Sequence, residues 1–191
     1  MPSPLAHSLT GYLICQSISK SDSPLKWREL LLYCVCPMLP DLDFIPGFLT
    51  GEPSRFHHGI SHSFGFAFGF GLLMSYALLL MKDQKVLRNF LIFFGLYFSH
   101  VLLDSLSVDT HSPYGVPALW PITETYYISP ILVFSDIQRD TVSARFIKSL
   151  FNFHNFLAIF LELTIFLPLV VVLLLLKGKK ARIINRVSEG Q

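Results

Sequence analysis

The chain has 191 residues, a length that a single domain accommodates. Hydrophobic residues make up 52% of it and charged residues only 15%, with 18 Phe, which excludes an ordinary water-soluble domain of this size. The basic residues behind the net charge of +2 are not gathered into an aromatic-interleaved patch, which argues against nucleic acid as a partner.

In chain order, Leu5 to Gln16 reads as a short helix with His7 near its start. No basic stretch precedes it, and His7, Thr10 and Gln16 interrupt its apolar core, so it is not a signal peptide. Ser17 to Ser23 reads as a loop. Trp27 to Cys36 is a second short apolar helix, which Pro37 and Pro40 should stop because proline has no N–H to donate. Both pieces fall short of the ~20 residues that cross a bilayer unaided. Cys15, Cys34 and Cys36 lie inside these runs, odd in number and without a CxxC, and read as small packing residues. Leu39 to Gly47 then places Asp41 and Asp43 in a proline-bracketed, otherwise apolar loop. Read alone this is ordinary turn chemistry, or a pair of carboxylates in need of a partner or a metal.

Phe56 to Ser63 packs His57, His58 and His62 into six positions. If a helix begins at Ser61 or His62, His62 sits in its first turn, and Gly59 lets the preceding loop fold back so that the rings converge. Such a group suits a metal; the alternative is a polar cap followed by interfacial histidines. His62 to Met81 is the first strong membrane span, with Gly65 and Gly69 as a pair of small residues that admits another helix. A basic turn at 82–88 leads into a second span, Leu87 to Leu106, where His100 and Asp104 share one face. Ionisable groups there cost about 2.5–3.5 kcal/mol each near the bilayer centre, and so mark either function or a bond between helices. Ser107 to Asn152, containing Asp109, His111 and the run Gly115 to Pro121, reads as an ordered, irregular loop on the membrane face. Phe153 to Leu176, with Glu162 and Pro168, is a third span before a basic tail.

The expected fold is therefore all-α: a small multi-spanning membrane helix bundle with two short N-terminal helices and a long ordered loop after the second long span. Residues 1–176 form one integral-membrane domain and 177–191 a tail. The turn and the tail carry net charges of +2 and +4, whereas 1–61 and 107–152 carry −1 each. The positive-inside rule then puts turn and tail in the cytoplasm of an inner-membrane protein, with the His and Asp residues at the opposite face.

His7, Asp41, Asp43, His57, His62, His100 and Asp104 come from five segments, and helix ends bring nearly all of them to one level. Imidazole plus carboxylate is a ligand set for zinc or manganese, and seven candidates exceed what one tetrahedral ion needs, so one to three divalent ions are expected.

Together these residues resemble the YdjM-like membrane-bound metal-dependent hydrolases. That pattern has an early His (His7), LPDxD (Leu39 to Asp43), HRGxTHS (His57 to Ser63), HxxxD (His100 to Asp104) and GVPxLWP (Gly115 to Pro121). The resemblance runs from His7 to about Pro121, and the chain beyond Pro130 looks family-neutral. His58 stands where the pattern has Arg, and Ser61 where it has Thr. The resemblance implies His7, Asp41, His57, His62, His100 and Asp104 as metal ligands, and Asp43 as a ligand or as a carboxylate orienting an imidazole. His58 and His111 would face substrate. It implies a membrane hydrolase in which metal-activated water attacks a phosphoester or lipid-derived substrate at the bilayer surface. The alternative is a non-catalytic membrane protein whose metal staples short helices and whose basic tail recruits a partner or anionic lipid.

Overall fold

A computed structural model describes residues 1–19, 26–110 and 112–189. Its elements are helices α1 (Pro4–Ile18), α2 (Trp27–Val35), α3 (Phe44–Leu49), α4 (Phe64–Leu80), α5 (Val86–Ser105), α6 (Ser143–Ser149) and α7 (Phe153–Glu189). A 3₁₀ segment, Cys36–Asp43, joins α2 to α3. The described residues form no extended sheet, only isolated bridges such as Val116 with Tyr127.

Helix directions follow from the pairs that meet. Ser3 bonds Glu162, and Lys177 bonds Gln16, so α1 and α7 run parallel. His7 faces Asp104 while Ile14 packs by Phe93 and Leu96, so α1 runs against α5. Phe64 meets Phe98 and Ser75 bonds the Val86 carbonyl, so α4 and α5 form an antiparallel hairpin. The starts of α1, α4 and α7 and the end of α5 therefore lie at one end of the bundle. The turn after α4 and the basic end of α7 lie at the other.

The packing suits a lipid solvent. Many Leu, Phe and Val side chains of α4, α5 and α7 face outward, while α1 buries Ala6, His7, Gly11 and Cys15. Trp27–Leu49, Val86–Ser105 and Phe153–Lys180 are each long and apolar enough to cross a membrane. The all-α membrane bundle expected from composition is the fold found.

Four local expectations change. Pro37 and Pro40 do not leave a loop: the backbone tightens to 3₁₀ bonding and continues into α3, making one helical rod of 23 residues. Pro37 has no N–H for the Tyr33 carbonyl, and Gly11 of α1 admits that carbonyl where a Cβ would collide with it. At 17 residues α4 is shorter than expected, covering about 25 Å of a hydrocarbon core of about 30 Å. Its close contact with α5 runs along Ala67, Gly71 and Ser75, not along Gly65 and Gly69. Gly69 lies about 200° around the helix from Gly71 and has nothing near it; Gly65 instead admits the Trp120 carbonyl, which accepts from its N–H at 2.9 Å. With the Ala118 carbonyl on Phe64 N at 2.8 Å, the GVPALWP run thus caps α4. Finally, the 107–152 connection is irregular except for α6, and α7 continues unbroken through the basic segment to Glu189.

Candidate metal centre

His7 lies in the first turns of α1, whose N-cap Ser3 is gripped by Glu162 of α7 through both backbone N–H (2.6 Å) and hydroxyl. Asp41 and Asp43 close the 3₁₀ segment. His57, His58 and His62 occupy the loop before α4, and His100 and Asp104 sit one turn apart in α5. His62 precedes the helix: Ser63 is the N-cap, its hydroxyl accepting from Phe66 N, so the histidine is placed by the loop and not by the first turn. The left-handed backbone needed to fold that loop falls on His58 (φ 59°) and not on Gly59.

Four atoms lie close together: His62 Nε2, His100 Nε2 and Asp104 Oδ2 belong to one possible ligand group, and Asp41 Oδ1 belongs to a neighbouring one with His100 and His7. The two Nε2 atoms are 3.0 Å apart. His100 Nε2 is 3.0 Å from Asp104 and 3.6 Å from Asp41. His62 Nε2 is 3.5 Å from Asp104 and 3.7 Å from Asp41. A tetrahedral ion with bonds of about 2.0–2.2 Å separates its ligand atoms by about 3.3–3.6 Å; His62, His100 and Asp104 stand 3.0, 3.0 and 3.5 Å apart, and Asp41 stands 3.6 and 3.7 Å from the two rings. His7 Nε2 lies 3.6 Å from the other Asp104 oxygen, its ring stacked on His100 with centroids 3.9 Å apart.

Proton positions follow from the partners. His100 Nδ1 lies 2.7 Å from the Pro37 carbonyl, which can only accept, so Nδ1 donates and Nε2 keeps its lone pair. Asp43 places one oxygen 3.1 Å from His57 Nδ1 and the other 3.2 Å from His62 Nδ1, and the Ser61 hydroxyl donates to that second oxygen. Neutral His62 and His100 therefore aim two lone pairs at each other and at two carboxylates, which is repulsive unless a cation lies among them. The buried polar atoms without a hydrogen-bond partner include both ring nitrogens of His7, His58 Nε2, Asp41 Oδ1 and both Asp104 oxygens. Six of the eight orphaned buried atoms among the described residues thus belong to the His and Asp cluster, and such groups are what one or more ions would satisfy. Burial disfavours a charged His62, yet Asp41 and Asp43 outweigh it and push the ring up to about 10, so without an ion a proton supplies the positive charge.

His57 belongs to a second group. Its Nδ1 is 3.8 Å from Asp41 Oδ1 as well as near Asp43, its Nε2 meets Met1 Sδ, and its ring stacks on Phe44. Asp41, Asp43 and His57 could hold an ion of their own, with Asp41 Oδ1 shared between the two groups.

The motifs found here and the helical membrane fold decide the family: the model of the YdjM inner membrane protein family matches residues 1–181. The chain belongs to that family. The YdjM match extends well past Pro121, so the segment beyond Pro130 is part of the family's domain and not neutral to it. No curated protein and no solved structure matches the chain.

Seven of the expected residues meet at this end of the bundle, with His58 beside them, 3.8 Å from Asp104 Oδ2. His111 lies outside the described residues. Asp109 was given no role by sequence, yet its carboxylate stands 3.4 Å from His58 Nδ1 and accepts the Gly115 N–H at 2.7 Å. Its position just ahead of the GVPALWP run was the available signal. His154 is apart from the centre, paired with Asp136 at 2.9 Å. A small polar cavity of about 40 Å³, room for a few waters, opens beside the centre between Ser54, His57, His58, Asp109, Ser112, Pro113 and Arg139.

Proposed function

We propose that this family member is a membrane-bound, metal-dependent hydrolase acting on a phosphoester or lipid-derived substrate at the bilayer surface. The observation that carries this reading is the convergence of His62, His100 and Asp104, with Asp41 and His7 beside them, next to a small polar cavity. Zinc suits the mixed imidazole and carboxylate donors best, with manganese second. When bound, such an ion lowers the pKa of a water and polarises a phosphoryl oxygen.

The chain's own residues supply the remainder. Asp43, between the two rings, holds His57 and His62 by their Nδ1 atoms and leaves His62 Nε2 free to bind. His58 lines the cavity; Asp109 faces its Nδ1, and burial holds the ring below its ordinary value despite that carboxylate, so a neutral Nε2 is available to accept a proton. The nearly complete burial of His62, His100 and Asp104 excludes bulk water, and the cavity opens next to them at His57 and His58. The basic turn and the basic end of α7 share the far end of the bundle, and by the positive-inside rule we place them in the cytoplasm and the centre at the opposite face.

A second reading has its own support: the four atoms come from three separate segments, and three of their residues are fully enclosed, as in a structural site that staples helices. One experiment separates the two. Detergent-purified protein is analysed for metal and assayed on phosphodiester and lipid ester substrates, wild type against His62→Ala. Metal and turnover in the wild type, both lost in the variant, support the hydrolase; metal without turnover supports the staple. A metal-free wild type that keeps its fold defeats both.

A further inference from the structure

The cavity wall holds a cation that makes no direct ion pair with the metal centre, although the charges of Asp41, Asp104, Asp109 and Asp43 act on it. Arg139 lies in the 107–152 connection, and its backbone is fixed on both sides. Gln138 N donates to Asn155 Oδ1 of α7, the Gln138 carbonyl accepts from the same side chain, and Asp140 N donates to Ser149 Oγ of α6. The guanidinium sits over the Phe44 ring, 5.1 Å from its centroid, and its Nε donates to Ser54 Oγ at 3.4 Å. Among the described residues no carboxylate lies within 4 Å of it. Asp109, across the cavity, faces His58 and the Gly115 N–H.

A half-buried guanidinium presents donors in a planar fork, and one bond of 3.4 Å plus an aromatic face leaves most of that capacity unused. Nature's usual partner for such a fork is a carboxylate or a phosphate. The cavity that Arg139 lines is also lined by His57 and His58, so an anion held there lies beside the His and Asp cluster. Ser54 accepts from Arg139, which leaves its hydroxyl hydrogen to donate to the same anion.

We propose that Arg139 and Ser54 form an anion subsite in this cavity that receives the phosphate group of the substrate. The choice of phosphate rests on the hydrolase reading above, whereas the binding of an oxyanion by Arg139 does not. Arg139 here is a binding residue, not a source of the attacking water.

The test uses full-length protein in detergent, as purified and after chelation, with inorganic phosphate binding followed by calorimetry in wild type, Arg139→Gln and Arg139→Lys. Metal content and thermal stability are measured alongside. Arg139→Gln should weaken phosphate binding about tenfold or more with metal content unchanged, and Arg139→Lys should recover part of it. The effect should persist in chelated protein. With a phosphoester that is turned over, Arg139→Gln should raise KM more than it lowers kcat. Soluble glycerol phosphate or vesicles containing phosphatidate should displace phosphate, and whichever does so shows whether the group arrives free or on a lipid. Phosphate binding equal to wild type in Arg139→Gln, or displacement by neither competitor, overturns the subsite. Arg139-dependent phosphate binding in a protein that turns nothing over would retain the subsite and discard the hydrolase.

Discussion

His62 and His100, 38 residues apart in sequence, bring their Nε2 atoms to 3.0 Å in a wholly buried setting. Each ring has its other nitrogen committed, one to Asp43 and one to the Pro37 carbonyl, so neither can turn away. A contact of this kind is tolerable with a proton or a metal ion between the rings. His100→Ala should therefore remove the ion held between the rings and lower metal content below wild type, while the protein still inserts and purifies from membranes, as elemental analysis against wild type would show. Metal retained at wild-type stoichiometry would place the ion elsewhere.

Asp43 works through the rings it holds. Asp43→Asn keeps the shape but weakens the acceptor behind both His57 and His62, and metal affinity should fall about 10–100-fold. Competition with a chromogenic chelator measures it. An unchanged affinity would show that loop packing alone aims the rings.

His58 should behave differently from both. It borders the cavity and lies 3.8 Å from Asp104 Oδ2, outside the set of four converging atoms. Under the hydrolase reading, His58→Ala should leave metal content near wild type and lower kcat about 10²–10⁴-fold, the usual worth of a positioned proton acceptor. Loss of metal in this variant would make His58 a ligand instead.

Much of this is legible in the sequence, because a charge or imidazole interrupting an apolar run stands out against its surroundings. Asp41, His62, His100 and Asp104 each do so at a helix end, and helix ends in a short bundle share a level. The residues that support them were not legible. Glu162 fixes His7 only through Ser3, 159 positions away, and Arg139 reaches Ser54 across 85 positions from an irregular segment with no period to read. The glycines misled for a related reason. Small-residue spacing pointed to Gly65 and Gly69, but which side of α4 meets α5 depends on the helix's rotation, and this is set by the Phe90 and Phe94 side chains that fill the space at Gly71.

That rotation gives a paired prediction. A Cβ at Gly71 would meet Phe94 Cβ at 3.0 Å and Phe94 N at 3.1 Å, whereas nothing lies within 4 Å of one at Gly69. Gly71→Leu should cost about 1–3 kcal/mol by overpacking and lower the unfolding temperature in detergent, and Gly69→Leu should be neutral within error. Equal effects at the two positions would mean that α4 presents another face to α5.

Proton release offers a test of the centre that needs no substrate. In the ion-free protein Asp41 and Asp43 push His62 up to about 10 against its burial, so the ring carries a proton at neutral pH. Because this folded-state value is raised, the ring's contribution to ion-free stability is complete below the unfolded value near 6.5 and is lost as pH rises through about 10. A divalent ion needs the neutral ring, so binding must expel that proton, and apparent metal affinity should climb with pH up to about 10. Calorimetry of zinc binding near pH 8, repeated in buffers of different ionisation enthalpy, should show about one proton released for the first ion. Asp43→Asn should release less, since one of the carboxylates that hold the proton has lost its charge. Zinc binding with no proton released from the wild type would mean that His62 is already neutral, and that the carboxylates do not act on it as their distances imply.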